Sequence, residues 1–298
     1  MITLIVNPAA GNGRSKKIVL RVEKALKQKK LPYRIWETSK PGNATQLARQ
    51  AAEEHAQDPD PSSLLLVIGG DGTFLESVRG LMDHSLPIAQ IPAGTGNDFL
   101  RTLQVPRKPL AALEHILNTT PRRIDLGTVN EDLFANECGA GFDVTVLDHA
   151  ESAKRYVRGL APYLWGVIKG IFTHRSQPME IIADGEILFS GDCLVFSVAN
   201  GRYIGGGIPI SPRASVSDGL LDLIVVRSCR RLRMISYLPG LLQGKILAFQ
   251  DTVVHKRVKE IMVRGLDDRS LRVNIDGEIS NRHQCHFTIC PGKLLIKM

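Results

Sequence analysis

A chain of 298 residues, 43% hydrophobic and 23% charged, has the apolar content of a packed protein and the length of two ordinary domains, which excludes disordered and collagen-like classes. A net charge of +8 and a pI near 9.3 predict an anionic partner, for which nucleic acid, anionic lipid and nucleotide all qualify. The five cysteines (Cys138, Cys193, Cys229, Cys285, Cys290) are scattered, odd in number and without CxxC spacing, which argues against a disulfide framework and fits reduced thiols in the cytoplasm.

The first residues, MITLIVNPAAGNG, lack the basic lead and apolar run of a signal peptide and read directly as a strand and turn. ITLIV (2–6) is a buried strand, and the stretch Arg14 to Lys30 puts Ile18, Val22, Ala25 and Leu26 on one helical stripe with lysines opposite. YRIWET (33–38) is a second strand, leading past Pro41 and Gly42 to Asn43, a predicted N-cap for an alanine-rich helix. SSLLLVIGG with a helix from Thr73 to Met82 makes a third unit, and LPIAQIP (86–92) begins a fourth. Such alternation predicts an α/β domain with a parallel sheet, whose ligands bind beyond the carboxyl ends of the strands. Three glycine-bearing loops, NPAAG (7–11), GGDGT (69–73) and AGTGND (93–98), fall at those ends and are expected to converge on one crevice. Glycine lets a backbone approach phosphate and a helix start offers free N–H groups, yet Asp71 puts a carboxylate among them. A divalent cation bridging the two resolves the conflict, as does a ligand hydroxyl donating to the carboxylate.

After Pro121 the texture changes to short alternating strands: RIDLGTVN, MEIIADGEILFSG, CLVFSVANG, GLLDLIVVRS, SLRVNIDGEIS and CHFTIC. They predict an antiparallel β-sandwich-like domain interrupted by helical stretches at 151–174 and 231–247. The expected division is 1–126, completed by a terminal strand at 291–298, and 127–290. The apolar run LAPYLWGVIKGIF (160–172) is interrupted by Lys169 and falls short of the roughly 20 residues of a spanning helix. Its Tyr163, Trp165 and Phe172, flanked by Lys154, Arg155, Arg158, Lys169 and Arg175, suit partial insertion at an anionic interface or a helix packed in the core. In HQCHFTIC, strand alternation places His283 and Cys285 on one face and His286 and Cys290 on the other, against a single zinc site.

No P-loop GxxxxGKS/T and no Rossmann fingerprint occurs. Instead NPAAG, GGDGTFLE, IPAGTGNDFLRTL, GGGIPISPRASVSDGLLDL (205–223) and NIDGE (274–278), in this order, resemble the diacylglycerol kinase catalytic-domain family, which includes bacterial lipid kinases and eukaryotic sphingosine and ceramide kinases. The resemblance covers essentially the whole chain. GGDGT alone also occurs in NAD kinases; GGDGT followed by GTGNDF is far more specific. The resemblance implies ATP- and Mg2+-dependent phosphoryl transfer to a lipid hydroxyl, of diacylglycerol or a related lipid such as phosphatidylglycerol, with the active site in a cleft between the two domains. By the same carry-over the ATP site comprises Asn7, Pro8, Ala9, Ala10, Gly11, Thr38, Gly70, Asp71, Gly72, Thr73, Phe74, Leu75, Glu76, Thr95, Asn97 and Asp98. Asp71 would serve the nucleotide and its Mg2+. The Asp218 carboxylate with the carbonyls of Ser215 and Leu220 would hold a further Mg2+, and Asp125 would join its water network. Of the two DGE copies, 184–186 and 276–278, both drawn as hairpin turns, the later matches the family's general base, Asp276 with Glu278 beside it. Gly11 is followed by Asn12 where some bacterial relatives carry lysine, so the nearest cations are Arg14, Lys16 and Lys17. The implied setting is cytoplasmic with peripheral association with the inner face of the membrane; the expected partners are ATP, a lipid substrate and a second copy in a homodimer, without nucleic acid. A soluble nucleotide kinase resembling NAD kinase is the rival that GTGND disfavours, and a basic nucleotide- or nucleic-acid-binding protein leaves the three loops unexplained.

Overall fold

Unbroken apolar runs make the first sheet. In the computed structural model, which describes residues 1–153 and 161–298, β1 (Ile2–Val6), β3 (Leu64–Gly69) and β4 (Ile88–Pro92) are buried at every position. Continuous burial is what a parallel strand covered on both faces requires. The chain divides into two units, Met1–Ile124 with Gly292–Met298, and Asp125–Pro291. In the first unit α1 (Arg14–Gln28), β2 (Tyr33–Glu37), α2 (Asn43–Gln57), α3 (Asp71–Gly80), α4 (Asp98–Thr102) and α5 (Pro109–Asn118) complete the alternation. The strands pair in parallel in the order β2-β1-β3-β4, and Ile296 returns from the C-terminal segment to lie beside Ile88.

Two local expectations shift. Gly42, left-handed at φ 80°, occupies the cap position of α2, and Asn43 turns its Oδ1 back to accept the Ser39 N–H at 3.1 Å. Entry through a left-handed glycine rotates the Asn43 side chain away from the first-turn amides. Helix α3 starts at Asp71, two residues before Thr73, and packs on α2 through Gly80, where a Cβ would lie 2.3 Å from the Thr45 carbonyl oxygen and 2.8 Å from the Ala48 Cβ. Helix propensity favours alanine over glycine by about 1 kcal/mol. Backbone is the obstacle here, so overpacking, at about 1–3 kcal/mol, prevails and Gly80→Ala is expected to lower the thermal midpoint. An unchanged or higher midpoint by calorimetry contradicts this packing.

In the second unit the alternating strands close around an apolar layer. β5 (Arg122–Val129), β6 (Asp132–Phe134), β7 (Glu137–Gly141), α6 (Phe142–Ala153), α7 (Ala161–Thr173), β8 (Gln177–Ala183), β9 (Glu186–Ala199), β10 (Leu221–Arg227), α8 (Arg231–Leu242), β11 (Val253–Val258), β12 (Glu260–Gly265), β13 (Leu271–Ile275), β14 (Glu278–Arg282) and β15 (Gln284–Ile296) follow in order. The sheet runs β14-β13-β7-β9-β8-β12-β15, with β10 between β9 and β11. Its neighbours are antiparallel. Phe134, Phe196 and Phe287 meet edge to face at 6.1–6.4 Å in the core. Val167 and Ile171 of α7 and Met234 of α8 join Ile224 and Val226 of β10 in a second cluster. The architecture is therefore α/β in two domains, a parallel-sheet unit and an antiparallel sandwich-like one.

The expected helix at 151–174 resolves into α6, which begins at Phe142, and α7, while residues 154–160 lie outside the described residues. The helix at 231–247 ends at Leu242 after Pro239, and a short 3-10 turn, Ile246–Ala248, follows. Cys285 and Phe287 point into the core, whereas His286 on the opposite face bonds Glu260 at 2.6 Å. Among the described residues no helix is long and apolar enough to cross a membrane.

Candidate functional site

The first unit gathers its three glycine loops at the carboxyl ends of β1, β3 and β4. The Asn7 N–H donates to the Ile68 carbonyl at 3.1 Å, and its side-chain amide donates to Thr73 Oγ1 at 3.0 Å. Gly11 takes φ 59°, and a Cβ there would stand 2.2 Å from the Ala93 carbonyl oxygen. A Cβ on Gly94 would stand 2.6 Å from the Gly70 Cα, so GGDGT and AGTGND touch backbone to backbone only because both positions are glycine. The Asp98 N–H donates to Asp71 Oδ2 at 3.3 Å. Gly72 and Thr73 lie in the first turn of α3, where amides have no intrahelical partner, the arrangement that receives anions. Asn97, left-handed at φ 51°, donates Nδ2–H to the Gly94 carbonyl at 2.9 Å and leaves Oδ1 buried without a hydrogen bond. A buried acceptor in that condition costs about 1–3 kcal/mol, so it marks a place for a donor or a cation.

Other predicted ATP-site residues hold the loops rather than facing them. Phe74 and Leu75 are 1% and 2% exposed, Phe74 packing on Phe99 at 5.6 Å, because the inner face of α3 turns toward the sheet. They offer a ligand only backbone. Glu76 accepts the Ala44 N–H at 3.3 Å and ties the start of α2 to α3. The Pro8 carbonyl accepts the Ser15 hydroxyl at 3.0 Å, and Thr38, just past β2, donates its N–H to the carbonyl of Val6 at the end of β1 at 2.8 Å. Ala9 and Thr95 are exposed, and Ala10 is half-buried. Asp98, 7% exposed, is paired with Arg101 at 2.6 Å. Gln90 is outside the expected set; fully buried, it donates to the Gly69 carbonyl at 3.3 Å beneath the loop. A lone amide inside the apolar strand IAQIP is the signal that marks it.

In the second unit Asp125 meets the 215–220 loop. Its Oδ2 accepts the Gly219 N–H at 2.7 Å, and its own N–H donates to Val216 at 2.6 Å. Asp218 accepts the Leu220 N–H at 3.0 Å and is paired with Arg257. The expected ligands, the Ser215 and Leu220 carbonyls, Asp218 and Asp125, would offer oxygen only, as a hard cation requires, but an ion at Asp218 would compete with the Arg257 guanidinium. No group of three or more His, Cys, Asp or Glu side chains is placed for a metal among the described residues.

The DGE copies turn out to be one device used twice. Asp184 and Asp276 both sit left-handed, at φ 51° and 48°. Asp184 Oδ1 accepts the N–H groups of Lys259 and Glu260, each at 3.0 Å. Asp276 is held more fully, Oδ1 by the N–H groups of Glu137 at 2.7 Å and Asn136 at 3.0 Å, and Oδ2 by that of Ala135 at 2.7 Å. Glu278 is exposed across from Ile275. The later copy lies beside two acids that the fold takes out of water. Glu137 is 2% exposed, and its carboxyl is pushed well above the usual range, first by burial and then by the Asp143 and Asp276 carboxylates. Burial likewise pushes Asp143 up to about 6, against the Asn274 amide that bonds it at 2.8 Å.

Residues 1–129 match the diacylglycerol kinase catalytic domain, and residues 136–298 match the YegS C-terminal NAD kinase beta sandwich-like domain. The chain is 30% identical over 279 residues to a diacylglycerol kinase of Bacillus subtilis (strain 168), covering 92% of this chain and 88% of that protein. It is 35% identical over 239 residues to a probable lipid kinase YegS-like of Pseudomonas aeruginosa (strain UCBPP-PA14), covering 78% of this chain and 76% of that one. A crystal structure of a diacylglycerol kinase from Bacillus anthracis str. Sterne is similar with a TM-score of 0.79 at 28% identity, covering 99% of this chain and 96% of that chain.

Proposed function

This chain belongs to the diacylglycerol kinase catalytic-domain family, and from that premise we propose that it transfers the γ-phosphate of ATP to the hydroxyl of a lipid, diacylglycerol or a relative such as phosphatidylglycerol. The meeting of the three glycine loops, one of which holds the buried, unbonded Asn97 Oδ1, carries the nucleotide half of the reading. The amides of Gly70, Gly72 and Thr73 receive phosphate, and Asp71 orients the nucleotide beside them. Bound Mg2+ supplies neutralisation of the phosphate oxygens. Asp71 would serve it on the nucleotide side, and Asp125, Asp218 and the Ser215 and Leu220 carbonyls would hold a second ion once Arg257 yields. On the acceptor side Asp276, aimed by three amides, takes the proton of the lipid hydroxyl while that oxygen bonds the γ-phosphorus and ADP leaves. Incubating the pure protein with γ-labelled ATP, Mg2+ and a total lipid extract is expected to label a lipid. Label appearing only in a soluble nucleotide assigns the protein to the other kinase class.

The acceptor's location also puts the protein at a membrane surface, bound to its inner, anionic face. Helix α7 has two unlike faces: Pro162, Val167 and Ile171 are buried, while Trp165, Ile168 and Phe172 are 51%, 51% and 59% exposed. Tyr163 is not part of that stripe, since its ring packs on Gly205. Arg231 donates to the Phe172 carbonyl at 3.1 Å, bringing the exposed Leu232 and Ile235 of α8 beside it. Lys169, Arg175, Arg230 and Arg233 are exposed on the same segments; Lys154, Arg155 and Arg158 lie outside the described residues. Each cation near an anionic surface contributes about 1 kcal/mol. Co-sedimentation with phosphatidylglycerol vesicles is therefore expected to fall with added salt and with Trp165→Ala or Phe172→Ala. Binding indifferent to all three removes the interfacial role and leaves the kinase reading standing.

A further inference from the structure

The turn that carries Asp276 is clasped by a second acid that the family motifs do not include. Glu137 opens β7, and its main chain bonds Asp276 in both directions: its N–H donates to Oδ1 at 2.7 Å, and its carbonyl accepts the Asp276 N–H at 2.9 Å. Its side chain points into the protein. Oε1 is buried without a hydrogen-bond partner. Gly139, two residues on, has no side chain because that space is taken: a Cβ there would stand 2.4 Å from Glu137 Oε1 and 3.2 Å from Asp143 Oδ2. Two carboxyl oxygens thus press on one point of the β7 backbone.

Among the described residues, the side chains that face Glu137 are acids and neutral donors. From α6 comes Asp143; from the β13–β14 turn, Asp276; from β13, the neutral Asn274; from β9, the hydroxyl of Ser197. On the same strand the Cys138 thiol lies in the apolar core. Arg272 of β13 is engaged with Asp148 at 2.8 Å on the exposed side, and His174, next to α7, bonds Thr145 at 2.8 Å. Two ionised carboxylates in that setting would repel one another with only the neutral Asn274 and Ser197 to offset their loss of water, so the pair keeps a proton. Resting on the kinase reading above, we propose that Glu137 acts as a buried neutral acid and positioning residue, whose protonated side chain seats β7 so that the amides of residues 135–137 hold the Asp276 carboxylate in place. Ionisation would drive Glu137 away from Asp143 and Asp276 and pull those amides with it.

The direction of the pH effect follows. A carboxyl whose folded-state value is raised contributes stability that is complete below the ordinary glutamate value of 4.5 and is lost as pH climbs from there through the raised value. Glu137→Gln is permanently neutral and has no such loss. The test compares thermal midpoints of the full chain and of Glu137→Gln from mildly acidic to alkaline pH, together with lipid kinase rates. The two midpoint curves are expected to diverge as pH rises, with the parent falling further. Glu137→Gln should keep the parent's rate at neutral pH and retain it at alkaline pH where the parent declines. Glu137→Met, of similar volume but unable to hold the proton, should lower kcat by about a hundredfold with the KM for ATP unchanged, the scale of a small misplacement of a reacting group. Parallel midpoint curves overturn the neutral acid, and a Glu137→Met enzyme with the parent's kcat overturns the positioning role. A parent that phosphorylates no lipid removes the kinase reading and the positioning role together, while the midpoint curves still report the proton.

Discussion

Asp276→Asn is expected to lower the lipid kinase rate by about a hundred- to ten-thousandfold, the usual cost of removing a general base, while Asp184→Asn leaves it nearly unchanged. The comparison is controlled because both residues are left-handed turn aspartates whose carboxylates accept backbone amides. It also separates structure from chemistry. Both amides on Asp184 fall on the single atom Oδ1, so an asparagine can keep them with its carbonyl oxygen. On Asp276 they are divided between Oδ1 and Oδ2, so an asparagine must turn its NH2 toward an N–H group. That mismatch costs about 1–3 kcal/mol, and the thermal midpoint should fall more for Asp276→Asn than for Asp184→Asn. The larger part of the rate loss must then persist at temperatures where the variant is fully folded, with its ATP-induced midpoint shift intact. Near-normal turnover in Asp276→Asn with loss in Glu278→Gln transfers the base to Glu278. Full activity in both removes this turn from catalysis.

Asp71→Ala should abolish nucleotide binding. A ligand present at a hundred times its Kd and bound only by the folded chain stabilises it by about 2.7 kcal/mol, so Mg-ATP should raise the parent's midpoint by several degrees. Asp71 is an acceptor for the Asp98 N–H and stands where GGDGT and AGTGND touch, so the alanine variant loses a loop contact as well as a charge. Asp71→Asn tells them apart, since it keeps an oxygen for Asp98 but not the negative charge that nucleotide-bound Mg2+ needs. Both variants are expected to lose the shift and the activity. Retention of both by Asp71→Ala means that GGDGT is not the nucleotide loop.

The sequence by itself determined the alternating first unit, the sandwich-like texture of the second and the family. These rest on local features: continuous apolar runs make doubly covered strands, a 3.6-residue period marks α1, and glycines mark strand ends where backbone must approach backbone. Gly11, Gly70 and Gly94 were legible as a set for that reason, and their contacts with Ala93 and with one another bear out the expected convergence of the loops. Tertiary structure decided what depends on residues far apart in the chain. Nothing in ECGAG announces β7, which has neither β-branched residues nor a clean alternation of polarity; it is a strand because β9 and β13 pair with it from either side. Phe74, Leu75 and Glu76 lie inside GGDGTFLE, expected to line the nucleotide site, yet their side chains serve the core and the start of α2, since helix phase decides which residues of a motif face outward. Arg257 reaches Asp218 from β11, and nothing near SVSDGL announces it. Glu137 and Asp143 have unremarkable neighbours in sequence. Burial against Gly139, beside a turn more than 130 positions further along, changes their chemistry, because the energy of a carboxyl is set by the solvent and charges around it and the folded chain alone supplies those.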